Sequence, residues 1–196
     1  MAGEMTFDNG PFNEDVFMQD AFLELKKKHK IKLVIETGTY HGTTTEWLAK
    51  NFKTVYTVEV NKEFAEIAAK TLSKYKNCHQ FLGNSVDSLE FMLTQGKPDL
   101  PKLVFLDAHW YANPLLGELE VIAACGIKPV LVIHDFYNPF HPEFGYDVYP
   151  DQKITYNFDY VSAALEKIYG KDGFKHWYNQ KATGAKRGCL FVTPKD

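Results

Sequence analysis

Five short β-rich runs alternate with helical segments through the chain, and this order constrains the fold more than any other feature. The runs cover residues 32–36, 54–59, 79–82, 103–107 and 130–134. Between them, residues 43–51, 62–75, 85–95 and 115–125 have helical character, with Gly126 as a stop for the last. Parallel neighbours in a sheet need a crossover connection, and a crossover helix packs against the sheet. The pattern therefore predicts an α/β chain: a parallel sheet with helices on both faces. Asn13 is placed to cap an earlier helix running to about Lys28, with Phe17, Phe22 and Leu25 on its apolar side. After the fifth run the pattern breaks. Residues 136–155 are interrupted by Pro139, Pro142 and Pro150, and an irregular stretch of this length in a compact domain marks a lid or binding loop. A helix over 158–169 follows, and then two strand-like runs, 174–178 and 188–192, that read as a hairpin.

Composition removes several classes of protein. Hydrophobic residues make up 45% and charged residues 24%, which excludes both a disordered chain and a membrane protein. Aromatic residues reach 15%, and much of the excess lies between Phe136 and Tyr160, as expected of a loop that lines a pocket. The net charge is −3 and the only dense basic run is Lys26-Lys27-Lys28-His29-Lys30, so no nucleic-acid partner is expected. That run closes a helix whose first turn carries Glu14 and Asp15, an arrangement that suits the helix dipole. Cys78, Cys125 and Cys189 form no CxxC pair and leave an odd thiol, which fits a reducing compartment. With no basic n-region followed by an apolar stretch, and no run long enough to span a bilayer, the expected location is cytoplasmic and no membrane is involved.

In an open α/β sheet, ligands sit beyond the carboxyl ends of the strands, so the residues there carry the functional argument. The first run ends in Glu36, then passes Gly38, Thr39 and Gly42 into a helix opened by Thr43, Thr44 and Thr45. Glycines let a ligand approach the backbone, and a helix N-terminus presents N–H groups to an anion such as a carboxylate. The Gly-x-x-x-Gly spacing does not satisfy the Gly-x-Gly-x-x-Gly of dinucleotide sites, which disfavours an NAD-dependent oxidoreductase. Glu59 ends the second run as an acid able to accept hydrogen bonds from both hydroxyls of a ribose. Together the two ends describe a site for a nucleoside that carries a carboxylate. After the third run, Asn84 or Ser85 is placed to reach an adenine edge, and Ser85 also suits a helix N-cap. The fourth run leads to Asp107, His109 and Trp110, and the fifth to His134 and Asp135. Two carboxylates at adjacent strand ends can share a divalent cation such as Mg²⁺, and nearby histidines shift the choice toward a transition metal.

Taken in this order, the strand ends resemble those of the catechol-type, metal-dependent O-methyltransferases of the class I S-adenosylmethionine (SAM) superfamily, over roughly residues 32–138. The resemblance implies a Rossmann-like class I methyltransferase fold, a seven-stranded mostly parallel sheet with a C-terminal antiparallel hairpin. From its length and the lack of an interdomain linker, the chain is expected to form a single domain over residues 1–196, divided into an N-terminal helix (1–30), a cofactor-binding core (31–135), a substrate loop (136–155) and a closing helix and hairpin (156–196). Glu36, Gly38 and Gly42 match the first loop, with Thr39 and Thr44 beside them as further cofactor candidates, Glu59 matches the ribose acid, and Gly83, Ser85 and Asp87, with Asn84 among them as a candidate, match the segment whose serine approaches the adenine. Asp107, His109 and Trp110 match the fourth strand end, on the cofactor and in catalysis, and Asp107 with Asp135 matches the metal pair. Phe136 stands where the family has an asparagine ligand, and Tyr111 where it has a lysine base, so His109, His134 or His141 takes the place of the base. The segments LDAHW and IHDF are also similar to macrocin-type O-methyltransferases, which implies a small hydroxylated acceptor. Asn138-Pro139-Phe140 resembles an amino-group methyltransferase motif, but it follows the fifth run instead of the fourth and lacks the second proline. An inactive adenosyl-binding or scaffold protein of the same fold is the alternative reading, and a homo-oligomer stays open.

Overall fold

The computed structural model describes residues 10–95, 100–108 and 113–195. Seven strands form one sheet in the order β3-β2-β1-β4-β5-β9-β8. These are β1 (Leu33–Thr37), β2 (Thr54–Glu59), β3 (Cys78–Leu82), β4 (Lys102–Leu106), β5 (Val130–Ile133), β8 (Phe174–Tyr178) and β9 (Leu190–Pro194). The first five are parallel, whereas β9 runs antiparallel between β5 and β8. The remaining strands, β6 (Val148–Tyr149) and β7 (Ile154–Thr155), form a small separate hairpin inside the segment expected to be loop.

The period of two along each strand divides the core. Leu33, Ile35, Val104, Leu106, Leu131, Ile133, Leu190 and Val192 face one cluster, built with side chains of α4 (Ser85–Thr94), α5 (Leu115–Ala124) and α6 (Phe158–Tyr169). Their neighbours Val34, Leu103, Phe105, Val130, Val132 and Phe191 face a second cluster with α1 (Val16–Lys28) and α2 (Thr43–Asn51). Strands buried on both faces read as the near-continuous apolar runs seen in the sequence. The last helix, α3 (Lys62–Leu72), packs beside α2, where Gly42 approaches Ala68.

Helix starts follow short polar side chains. Asp15 accepts hydrogen bonds from the N–H groups of Phe17 and Met18, Asn61 from those of Glu63 and Phe64, Asn84 from Val86 and Asn157 from Tyr160. Two expectations are thereby corrected. The cap of α1 is Asp15, since Asn13 lies in a left-handed turn with Phe12 and Glu14, at φ values of 54°, 55° and 65°. The cap of α4 is Asn84, one residue before Ser85. The basic residues Lys26, Lys27 and Lys28 do occupy the last turn of α1. No helix among the described residues is long and apolar enough to cross a membrane.

Candidate functional site

The sheet order reverses direction between β1 and β4, which creates a crevice at their carboxyl ends. Gly38 stands at that point with φ +87°, and a Cβ there would lie 2.5 Å from the main-chain oxygen of Asp107. Only glycine lets the two strand ends come this close. Gly42, at φ +85°, turns the chain into α2 without a side-chain cap, so the first N–H groups of α2 lack the partner that Asp15, Asn61, Asn84 and Asn157 give to other helices.

Glu36 and Glu59 have different surroundings. Glu36 is buried, and its Oε2 accepts from Thr45 Oγ1 at 2.5 Å and Thr57 Oγ1 at 2.7 Å. Thr57 also lies 2.6 Å from the Thr39 hydroxyl, so Thr39, Thr57, Glu36 and Thr45 form one buried hydrogen-bonded chain beneath the loop. Burial pushes the Glu36 carboxyl up to about 8 against the pull of the two hydroxyls, with the charges of Asp107 and Glu59 adding to the rise. Glu59, also buried, ends β2 and is oriented by two backbone donors: Tyr40 N–H to Oε2 at 2.7 Å and Asn61 N–H to Oε1 at 2.9 Å. Each carboxylate oxygen has a second lone pair for a ligand hydroxyl. The Tyr40 ring, stacked on His41 at 3.8 Å and edge-on to Phe64, walls this part of the crevice. Thr44 Oγ1 accepts from the N–H of Phe12, which draws residues 10–14 against the start of α2.

Across the switch point lie Asp107, His134 and Asp135. His134 is buried, with Nδ1 3.0 Å from Asp107 Oδ1 and 3.3 Å from Asp135 Oδ2. Neither oxygen is aligned for a hydrogen bond, so Nδ1 is held at close range without an aligned partner. Burial opposes a charge on the ring, but the carboxylates of Asp135 and Asp107 outweigh it and hold the imidazole well above its usual range. Two carboxylates around one buried nitrogen attract positive charge, whether a proton or a metal ion. Asp135 has a left-handed backbone, φ 53°, and its other oxygen, Oδ1, receives Arg187 Nε. The same guanidinium donates to Asp147 Oδ1 at 2.7 Å. Burial raises the neighbouring Cys189 thiol to about 12, which removes it as a nucleophile.

The residues 136–155 are closely tied to the sheet. Phe136 N–H donates to Gly188 O, Gly145 N–H to Lys186 O and Gly188 N–H to Gly145 O. The buried Asn138 amide donates to Asn179 O at 2.7 Å, while its Oδ1 accepts from the N–H groups of Phe140 and His141. Asn138 is thus consumed in holding the loop. His141 pairs with Glu143, and Phe136 is buried in the core, with no polar atom to offer an ion. His109, Trp110 and Tyr111 lie outside the described residues.

Arg187 and Asp147 were not among the residues anticipated from sequence. One signal was there: Arg187 is the only arginine in a chain with 22 lysine and arginine residues. A forked donor in an otherwise lysine-only chain points to a paired-carboxylate contact. Thr45 and Thr57 carried no comparable mark.

The sheet order, the antiparallel closing pair and the helices on both faces are those of the class I SAM-dependent methyltransferase fold. Solved structures carry the same architecture. The O-methyltransferase of Bacillus cereus in complex with SAH superposes with a TM-score of 0.64 at 20% identity, covering 97% of this chain and 84% of that one. The O-methyltransferase TomG of Streptomyces achromogenes, involved in tomaymycin synthesis and solved with SAM, gives a TM-score of 0.60 at 21% identity over 91% of this chain and 80% of that one. Among curated proteins, ribosomal RNA small subunit methyltransferase A of Caldanaerobacter subterraneus is 48% identical over 44 residues, which is 22% of this chain and 16% of that protein. The match therefore spans about a sixth of that relative's length. No protein-family model matches the sequence.

Proposed function

We propose that this chain is a SAM-dependent methyltransferase that acts on a hydroxyl of a small molecule, with a divalent cation held between Asp107 and Asp135. One observation carries the reading: at the switch point, the glycine-lined turn and uncapped N-terminus of α2 face the same crevice as the backbone-oriented Glu59. That pairing suits a ligand with a carboxylate at one end and a ribose diol at the other. Asn84, Ser85, His109 and Trp110 complete the cofactor pocket in this reading, the last two by resemblance alone. Thr44 borders the carboxylate end, while Glu36 and Thr39 act through the loop they hold.

Bound SAM supplies a methyl group already activated on sulfonium, so this chain's own residues have to align an acceptor and exclude water. The residues at the second centre fit a divalent cation, because the buried His134 Nδ1 lacks an aligned partner between two carboxylates. A cation there lowers the pKa of an acceptor hydroxyl. With His134 set between the two proposed metal ligands, His109 is the base in this reading, by resemblance alone. Tyr137 and Tyr146, edge-on to each other with centroids 5.0 Å apart, contribute to the acceptor wall in this reading.

A cytoplasmic, non-membrane enzyme without a nucleic-acid substrate follows from the same reading. The buried Phe136, at the family's third ligand position, favours a second one: an adenosyl-binding protein without turnover. Titration calorimetry with SAM, SAH and NAD, paired with methyl-³H transfer to catechols and polyhydroxylated sugars, tests both. SAM and SAH should bind and NAD should not. Absence of adenosyl binding overturns the proposal, and binding by a chain inert on every acceptor favours the second reading.

A further inference from the structure

We infer that His134 is a metal ligand through Nδ1, and that the Asp107–His134–Asp135 set selects a transition ion such as Mn²⁺ or Co²⁺ over Mg²⁺. The inference rests on the cation assigned above to the two aspartates and adds to it a third donor and a preference. Its basis is geometric. Donors bound at about 2.1 Å to one ion stand roughly 3.0 Å apart when adjacent in an octahedron and roughly 3.4 Å apart in a tetrahedron. Nδ1 of His134 lies 3.0 Å from Asp107 Oδ1 and 3.3 Å from Asp135 Oδ2, the edge lengths of one coordination sphere. The three residues can each place a ligand atom within 4.8 Å of the other two.

Three further observations agree with a built site. His134 is 2% exposed, and its Nδ1 stands between the two carboxylate oxygens, at 3.0 Å and 3.3 Å. The ring packs edge-on against Phe105, with centroids 5.9 Å apart. Arg187 takes Oδ1 of Asp135 and is itself held by Asp147. This leaves Oδ2 as the oxygen presented toward His134 and supplies the outer hydrogen bond that ligating carboxylates ordinarily carry. Asp107 is the most open of the three, with its side chain 24% exposed, so the ion's remaining positions face the crevice.

Preference follows from the donor atoms. Mg²⁺ favours oxygen donors and retained waters, whereas an imidazole nitrogen favours later divalent ions of the first transition row. One histidine in the set should therefore shift the ranking, and replacing it by a carboxylate should shift it back.

The test measures metal binding directly, without turnover. The purified full chain is titrated with MgCl₂, MnCl₂ and CoCl₂ by calorimetry. The Mn²⁺ form is then examined by pulsed EPR for the ¹⁴N modulation of a coordinated imidazole. Wild type should bind one Mn²⁺ at least about tenfold more tightly than Mg²⁺ and show the nitrogen modulation. His134→Asp should lose the modulation and bring the two affinities within about threefold, while Asp135→Asn should weaken every ion. SAM calorimetry and thermal melting on each variant separate a metal effect from failure of the fold or of the adenosyl site. Mn²⁺ bound to wild type without ¹⁴N modulation, equal affinity for Mn²⁺ and Mg²⁺, or no metal binding by a chain that still binds SAM would each overturn the inference. The EPR measurement needs no variant, so it stands even where His134→Asp does not fold.

Discussion

Replacing Glu36 with glutamine keeps the side chain's shape and removes its charge. The carbonyl oxygen of the amide still accepts from Thr45 and Thr57, whose hydroxyls both donate to Glu36 Oε2. In the folded chain, burial moves the carboxyl from 4.5 to about 8, opposed by those two hydroxyls and reinforced by Asp107 and Glu59. Between the two values the folded state keeps a proton that the unfolded state releases. Stability is then highest below the unfolded pKa and declines as pH rises toward the folded one, by at most about 1.4 kcal/mol per pH unit. Other ionisable groups titrate alike in both chains and cancel in the difference. From about pH 6 to about pH 8, wild type should therefore lose roughly 2 kcal/mol relative to Glu36→Gln. Urea unfolding of both chains across that range measures it, read as the difference in unfolding free energy at each pH. A difference that stays flat with pH would refute the reasoning, because it would mean that Glu36 is charged in the fold and stabilised by its threonines.

Glu59→Gln leaves an acceptor for one backbone donor and turns an amide NH₂ toward the other, so one of the bonds from Tyr40 and Asn61 is lost as the crevice loses its acid. Calorimetry should show SAM binding weakened by about 10-fold or more, the loss of one or two charge-assisted hydrogen bonds. Asn138→Ala removes the buried bond to Asn179 O and the two bonds that Phe140 and His141 donate. It should cost about 2–3 kcal/mol in denaturant unfolding with little change in SAM affinity, and a loss below about 0.5 kcal/mol would mean that the loop is held elsewhere.

Much of the fold was legible because local and global signals agree in its central part. The bounds of β2, α2, α6 and β8 follow from runs whose period and turn residues point the same way. The positions of Glu36, Gly38, Gly42 and Glu59 at strand ends were legible for the same reason, since strand ends can be found wherever strands can. The other half was not. Arg187 meets Asp135 across 52 positions of sequence, and only the pairing of β9 with β5 brings them together. Asn138 falls in the irregular segment 136–155, and its buried amide bonds to Asn179, 41 positions away. Asn13 looked like a cap, because short polar side chains are interchangeable in sequence. The left-handed turn that moves the cap to Asp15 is held by Thr44 on α2 and by the Ala185 N–H to Asn13 O bond, neither of them local.

The separation of the ion pair from Arg187 also gives the site an order in time. Glu36 closes with Thr45 and Thr57 over 9 and 21 positions, and Tyr40 closes with Glu59 over 19. Asp135 has to wait 52 positions for Arg187. On a ribosome, the bank of the crevice built on Glu36 and Glu59 has its partners synthesised while the arginine that steadies the opposite bank is still unread message.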